Sequence, residues 1–191
     1  MATSPALTGR LMRAISAAAT AHRDHVRKGS GIPYVSHTYS VMYLVSRETG
    51  DEDVLIAAVL HDVLEDVPHN LSETEMRAEF GDRVADIVVD LTKDSSLTDW
   101  QERADAYLDH LEHAAAAEAV LIACADKLHY LLSILDDHVE LGENLWSRFS
   151  SGRDQQLWWY RAVSEVVERR LPGLSLNREL VAAIGRMTDL T

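Results

Sequence analysis

Apolar and polar positions along the chain recur at the three-to-four-residue spacing of amphipathic helices. A first helix carries Leu7, Leu11 and Ile15 on one face and is predicted to run to about Val26. Later segments repeat this spacing, and no segment alternates convincingly as a strand would. The pattern predicts an all-α fold with one domain over residues 1–191. Its candidate chemistry lies at about 20–135, and the last helices, 153–190, pack on that part.

One predicted helix, 51–66, combines an unbroken apolar run with four polar residues at its end. An apolar run buries itself, and buried imidazoles and carboxylates are costly unless they are paired, hydrogen-bonded or bound to metal. The adjacent His61 and Asp62 can offer a nitrogen and an oxygen to one cation. Glu65 and Asp66 follow one helical turn later. We therefore predict a metal site with acid/base groups beside it.

Two further residues are candidates for completing a metal site with His61 and Asp62. His37 begins a helix after a basic, glycine-rich loop, and Asp126 interrupts an apolar helix. Imidazole and carboxylate ligands without thiolate suit Mn, Fe or Zn. Each residue taken alone is more often structural, and Asp126 has the alternative of a buried pair with Lys127, His129 or an arginine. Together the four favour a metal site.

Composition narrows the classes of partner. The chain of 191 residues is 47% hydrophobic and 26% charged, with a net charge of −13, which argues against a nucleic-acid binder that relies on basic attraction. A metal ion and a few local cations can still attract an anionic small molecule. The lone Cys124 fits a reducing compartment. Without a transmembrane-length apolar run or a signal segment, a cytoplasmic location with no membrane partner is expected.

Several cations are candidates for substrate contacts. Arg27 and Lys28 lie on the loop before His37, where they can hold phosphate or, for Arg27, stack on a purine. Such basic loops are more commonly just exposed. Lys127 is expected to touch phosphate or to pair with an acid, and Arg153 is expected to extend the pocket. Of the aromatic cluster 158–160, at least Trp158 is predicted to belong to the core.

The ordered motifs of the chain resemble a known family. They are His37, His61-Asp62 and Asp126 within the longer segments 27–37, 58–66, 80–92 and 125–128. This series resembles the HD superfamily of metal-dependent phosphohydrolases and, more narrowly, the hydrolase domain of RelA/SpoT-type proteins. An isolated His-Asp pair is a weak signal, whereas the ordered series is specific. The short length is similar to that of a free-standing small alarmone hydrolase.

The resemblance implies an all-α HD-type domain, usually Mn-dependent, that removes the 3′-pyrophosphate of (p)ppGpp and releases GDP or GTP with pyrophosphate. It implies that the four motif residues are metal ligands. It also implies that Glu65 and Asp66 orient and deprotonate the attacking water, and that Arg27 and Lys28 contact the nucleotide.

Two positions depart from the family pattern. Tyr130 stands where the family commonly has Asn, four residues after Asp126, and Thr38 stands where it commonly has Pro. Tyr130 is expected to reshape the nucleoside side of the pocket. An adenosine alarmone, NADPH or another nucleotide therefore stays open as the substrate, as does a catalytically silent nucleotide-binding module. A homo-oligomer is also left open.

Overall fold

This computed structural model of the protein describes residues 6–27, 31–148 and 152–190. Within these ranges it has ten α-helices, one 3₁₀ helix and no β-strand; an isolated bridge pairs Val26 with Pro33. The all-α prediction is confirmed. The helices are α1 (Gly9–Ala21), α2 (Val35–Ser46), α3 (Glu52–Leu60), α4 (Val63–Asp66), α5 (Glu73–Phe80), α6 (Asp82–Leu91), α7 (Trp100–His113), α8 (Ala117–Leu141), α9 (Gly152–Arg170) and α10 (Ser175–Thr188), with the 3₁₀ helix at Gly142–Arg148.

Side chains just before the helices fix several of these boundaries. Thr8, Asp51 and Asp99 each accept a hydrogen bond from a backbone N–H in the first turn that follows. Ser72 and Glu75 form a reciprocal capping box at the start of α5. Such caps satisfy N–H groups that have no partner within the helix, so local sequence sets where these helices begin.

The helix α3 lies at the centre of the core and packs against α1, α2 and α6. All seven residues of Val54–Leu60 are at most 2% exposed, which explains why this helix is apolar on every side. The long helix α8 is the second central element and packs against α2, α6, α9 and α10. The candidate site lies where α2, α3 and α8 meet.

The predicted continuous helix over 51–66 is corrected by the structure. It breaks into α3 and α4, with His61 and Asp62 in the turn between them. The Nδ1 of His61 lies 2.9 Å from the carbonyl oxygen of Ala58, and Asp62 has φ −96° and ψ −1°. This turn aims the adjacent side chains at one point, which neighbouring positions on a regular helix do not do.

The first helix also ends earlier than predicted, at Ala21 instead of Val26. The chain then turns and brings His22 and His25 against Tyr34, with ring centroids 5.0 and 4.0 Å from that of the tyrosine. These contacts join the end of α1 to the start of α2, beside the candidate site. Among the helices described, none is long and apolar enough to cross a membrane.

Candidate metal centre and active-site cleft

Four predicted ligand atoms converge in the interior. His37 Nε2 lies 3.2 Å from Asp126 Oδ1 and 3.3 Å from Asp62 Oδ2. His61 Nε2 lies 3.0 Å from the same Asp62 oxygen and 3.9 Å from Asp126 Oδ1. Atoms bound to one cation at about 2.1 Å lie roughly 3.0–3.4 Å from one another, so these separations are close to those of a coordination shell.

The unpaired atoms at this point test whether a cation fits. His37 Nε2, His61 Nε2 and Asp126 Oδ1 are buried and find no hydrogen-bond partner in the described part of the chain. Buried polar atoms without a partner are costly, and they are rare in native proteins. Two imidazole nitrogens and carboxylate oxygens suit a divalent cation. The donor set therefore fits a metal ion.

Both histidines are oriented through their second ring nitrogen. His61 Nδ1 donates to the Ala58 carbonyl oxygen at 2.9 Å, and His37 Nδ1 lies 2.8 Å from His129 Nδ1. Burial, and then the nearby His37, lower the pKa of His129 to about 4, so this ring is neutral and can accept a hydrogen bond from His37. Such outer contacts leave Nε2 free to bind metal. From the sequence, His129 was expected only as an alternative partner for Asp126, and its contact with His37 was not predicted.

The two carboxylates also have outer partners. The hydroxyl of Tyr34 donates to Asp62 Oδ2 at 2.6 Å, and the ammonium of Lys127 donates to Asp126 Oδ2. The other oxygen of Asp126, Oδ1, faces the two histidines. Lys127 therefore pairs with an acid, which was one of its two predicted roles. Asp126 still has one oxygen available to the centre.

The charges at the centre favour a cation. Burial raises the pKa of Asp62, but the neighbouring His61 and His37 hold it well below its usual range. Burial also raises the pKa of Asp126, and Lys127 and His37 lower it further than burial raises it. Burial lowers the pKa of His61, yet Asp62 and Asp126 raise it to about 9. A field that holds a proton on a buried imidazole also attracts a metal ion.

A cleft of about 320 Å³ opens beside this centre, near the lower limit for pockets that hold small molecules. Its lining combines carboxylates, cations and aromatic rings. The lining residues are Tyr34, Asp62, Glu65, Asp66, Lys93, Trp100, Arg103, Ala104, Asp126, Lys127, Tyr130, Gln156, Trp159 and Tyr160.

Glu65 and Asp66 both line the cleft but differ in their partners. The Lys93 ammonium lies 3.0 and 3.1 Å from the two carboxylate oxygens of Glu65. Asp66 Oδ2 lies 3.9 Å from His25 Nδ1. Burial, followed by the charges of Asp62 and Glu65, raises the pKa of Asp66 to about 7. A carboxylate with such a pKa can take up a proton near neutral pH.

The predicted substrate-binding residues are only partly brought together. Lys127 and Tyr130 line the cleft, and the guanidinium of Arg27 lies 5.8 Å from the centroid of the Tyr130 ring. The Tyr130 hydroxyl lies 3.3 Å from that of Tyr34. Lys28 lies outside the described residues.

Arg153, predicted to extend the pocket, is not among the described residues that line the cleft. Its guanidinium donates to the carbonyl oxygens of Met187, Thr188 and Leu190, at the end of α10. The last carbonyls of a helix lack the i+4 N–H partners of its interior, so an arginine is a suitable cap. Arg153 therefore has a structural contact that its sequence context did not reveal.

The aromatic cluster on α9 is oriented differently from the prediction. Trp158, predicted to be core, is 38% exposed, whereas Trp159 and Tyr160 are buried and line the cleft. Trp100, from α7, lies beside this pair, with its ring centroid 6.4 Å from that of Trp159. Sequence reasoning also missed Lys93 and Arg103, whose only signal was a cation near the start or end of a helix.

Comparison of the chain with known proteins finds an HD domain and relatives named as hydrolases. The HD domain family model matches residues 14–149. The chain is 34% identical over 183 residues to the Drosophila melanogaster protein named guanosine-3′,5′-bis(diphosphate) 3′-pyrophosphohydrolase MESH1, covering 94% of this chain and 93% of that protein. It is 30% identical over 130 residues to the bifunctional (p)ppGpp synthase/hydrolase SpoT of Escherichia coli, covering 65% of this chain and 18% of that protein.

Solved structures with a similar fold include a protein of the same kind. A metazoan ortholog of SpoT, described as hydrolysing ppGpp, superposes with a TM-score of 0.80 at 31% identity over the full length of both chains. A Listeria monocytogenes EGD-e protein superposes with a TM-score of 0.70 at 28% identity, covering 79% of this chain and 97% of that one. The chain therefore belongs to the HD-domain family, among the small hydrolases of the RelA/SpoT type.

Proposed function

We propose that this protein removes the 3′-pyrophosphate of guanosine alarmones, (p)ppGpp, and releases GDP or GTP together with pyrophosphate. The observation that carries the proposal is the convergence of His37, His61, Asp62 and Asp126 beside a cleft that also holds two further carboxylates. The relatives named for this activity support the choice of substrate.

The metal ligands in this proposal are His37, His61, Asp62 and Asp126, with Mn²⁺ as the first candidate and Fe or Zn as alternatives. A divalent cation there supplies Lewis acidity, which polarises a phosphoryl oxygen and lowers the pKa of water. The mixed nitrogen and oxygen donors support a cation of this class without choosing among its members.

Asp66 is the proposed proton acceptor. One of its carboxylate oxygens takes a proton from the attacking water. The water oxygen forms a bond to phosphorus as the bond between phosphorus and the ribose 3′ oxygen breaks, and the 3′ oxygen leaves as a hydroxyl after taking a proton from solvent. Its raised pKa and its lack of an ammonium partner among the described residues favour it over Glu65 for this step. Glu65, held by Lys93, orients the water. Asp66 and Glu65 thus have separate roles in this proposal, whereas the family resemblance implied both roles for the pair.

Substrate contacts in the proposal come from both sides of the centre. Lys127 binds a phosphoryl oxygen while keeping its contact with Asp126, since an ammonium group has three donors. Arg27 and Tyr130 contact the nucleoside, and Lys28 is retained from the sequence as a phosphate ligand. Arg153 contacts carbonyl oxygens at the end of α10, and its substrate contact stays a prediction from the sequence.

Tyr130 favours a second candidate substrate for the same class of reaction. Its phenol occupies the position at which the family commonly has an amide, and it lies against Tyr34 and near Arg27. A different base or sugar, as in an adenosine alarmone or NADPH, is the alternative. A silent nucleotide-binding module is a third candidate.

A nucleotide panel with Mn²⁺ present and products identified by chromatography tests the three. Pyrophosphate release from ppGpp is the expected result. Phosphate or pyrophosphate from another nucleotide, with none from ppGpp, would replace the first candidate by the second. Tight ppGpp binding without turnover would support the silent module.

The remaining expectations belong to this proposal. Residues 1–191 form one HD hydrolase domain, with α9 and α10 packed on α8, and the partner is a small nucleotide instead of nucleic acid. A cytoplasmic location and an open oligomeric state stay predictions from the sequence.

A further inference from the structure

Three cations of the described residues line the cleft, and a single aromatic ring of α7 lies beside two of them. The ammonium groups of Lys93 and Lys127 lie 5.2 and 5.9 Å from the centroid of the buried Tyr107 ring. Arg103 precedes Tyr107 by four residues on α7, so both side chains are on one helical face. Positive charge therefore lies along the α7 side of the cleft.

These cations differ in whether a carboxylate neutralises them. Lys93 pairs with Glu65, and Lys127 pairs with Asp126. For Arg103, no ion pair or side-chain hydrogen bond joins the guanidinium to any residue in the ranges 6–27, 31–148 and 152–190; its backbone N–H donates to Asp99 at the start of α7. An arginine with an uncompensated charge inside a cleft has its donors available to a ligand.

The charge of the cleft suggests what that ligand is. Among the residues that the structure describes, its lining has four carboxylates and three cations, and a divalent metal would make this total positive. The carboxylates already neutralise Lys93 and Lys127 next to the centre. A substrate with a second phosphate group, away from the one hydrolysed, needs a further cation. The planar guanidinium of arginine binds phosphate oxygens in pairs.

We propose that Arg103 binds a second phosphate group of the substrate, the 5′-phosphates in the case of (p)ppGpp. This inference rests on the proposed function for the identity of the nucleotide. It makes Arg103 a substrate-binding residue that selects nucleotides phosphorylated at two positions. Gln156 and Trp100 line the same cleft.

The test compares nucleotides that share the 3′-pyrophosphate and carry two, one or no phosphates at the 5′ position. For ppGpp, Arg103→Gln is expected to raise KM by about tenfold or more, the usual effect of losing a hydrogen bond to a charged group, with kcat little changed. For the nucleotide without 5′-phosphate, KM should change by less than about twofold. Arg103→Lys should keep part of the affinity for ppGpp.

The matched control is Arg178→Gln, an exposed arginine on α10, outside the cleft, which removes the same charge. It should leave the whole series unchanged. An equal loss for all three nucleotides on Arg103→Gln, or no loss for any, would overturn the inference.

Calorimetric titration of the same nucleotides gives the binding differences directly. An Asp66→Asn background slows turnover, so binding can be measured whether or not the wild-type chain hydrolyses these nucleotides. Absence of wild-type turnover would count against the proposed function alone. If the effect of Arg103→Gln on the dissociation constant did not depend on the 5′-phosphates, the titrations would count against the role of Arg103.

Discussion

Lys93 and Glu65, which both line the cleft, form an ion pair in which one ammonium contacts both carboxylate oxygens at 3.0 and 3.1 Å. The backbone N–H of Lys93 also donates to Glu65, at 3.4 Å. Because the pair fixes the direction of Glu65, Lys93→Gln should lower kcat roughly tenfold, within the range of coupling between contacting residues, and change KM for the substrate less.

A double-variant comparison separates positioning from other effects of Lys93. Glu65→Gln alone is expected to slow hydrolysis by about 10²-fold while metal stays bound. Adding Lys93→Gln to that variant should cost little more, since the carboxylate it holds is already gone. If the two effects multiplied fully, Lys93 would act on the substrate and not through Glu65.

Removal of Asp62 should abolish metal binding and activity together. Asp62 Oδ2 lies next to His37 Nε2 and His61 Nε2, so Asp62→Ala deletes the oxygen that both nitrogens approach. Manganese content after dialysis and ppGpp turnover measure the two effects. Asp105→Ala, an exposed carboxylate on α7, is the control and should change neither. Full activity of the Asp62 variant would show that the assigned centre is wrong.

The pH dependence of kcat/KM should reveal Asp66. A protonated carboxyl cannot accept a proton, so activity should fall as the pH drops through the pKa of Asp66, which is about 7 in the metal-free protein. A bound cation favours the carboxylate and moves this limb to lower pH. Asp66→Asn should lower the rate by about 10²-fold and remove the limb. An unchanged acid limb in that variant would assign the proton transfer elsewhere.

Tyr130 should control which nucleotide is preferred. Tyr130→Asn restores the side chain that the family commonly has and removes a ring beside Tyr34 and Arg27. We expect kcat/KM for ppGpp to rise relative to adenosine nucleotides and NADPH by about tenfold, the size of one good polar contact. Tyr43→Asn, at a position 67% exposed on α2, is the control. An unchanged ranking of substrates would remove Tyr130 from specificity.

His22 should make the protein less stable in acid. It is 1% exposed, and burial lowers its pKa from 6.5 to about 4. Since the unfolded chain binds the proton first, stability is lost as the pH falls below 6.5, by at most about 1.4 kcal/mol per pH unit for one proton. Urea midpoints between pH 7 and 4 measure this. His22→Phe should reduce the slope, and a slope equal to that of the wild type would show that other groups cause it.

The sequence predicted the all-α fold and the approximate helices because amphipathic spacing and caps such as Ser72 act locally. It could not predict the break at His61–Asp62, which depends on a side-chain contact with the Ala58 carbonyl and on residues from other helices. Nor could it predict the pairing of Lys93 with Glu65, since the two are 28 residues apart. Nor could it predict that Arg153 contacts the end of α10, since these residues are 35 positions apart.

The division of the site among helices has a consequence for how such enzymes diversify. The converging ligand atoms come from α2, the α3–α4 turn and α8, whereas Arg103, Trp100 and Gln156 come from α7 and α9. Substitutions on α7 and α9 can alter the outer cleft while the converging atoms of the centre keep their spacing. Reaction chemistry and substrate choice can therefore be inherited separately, and a variant library confined to α7 and α9 could be screened for new substrates with the hydrolytic centre intact.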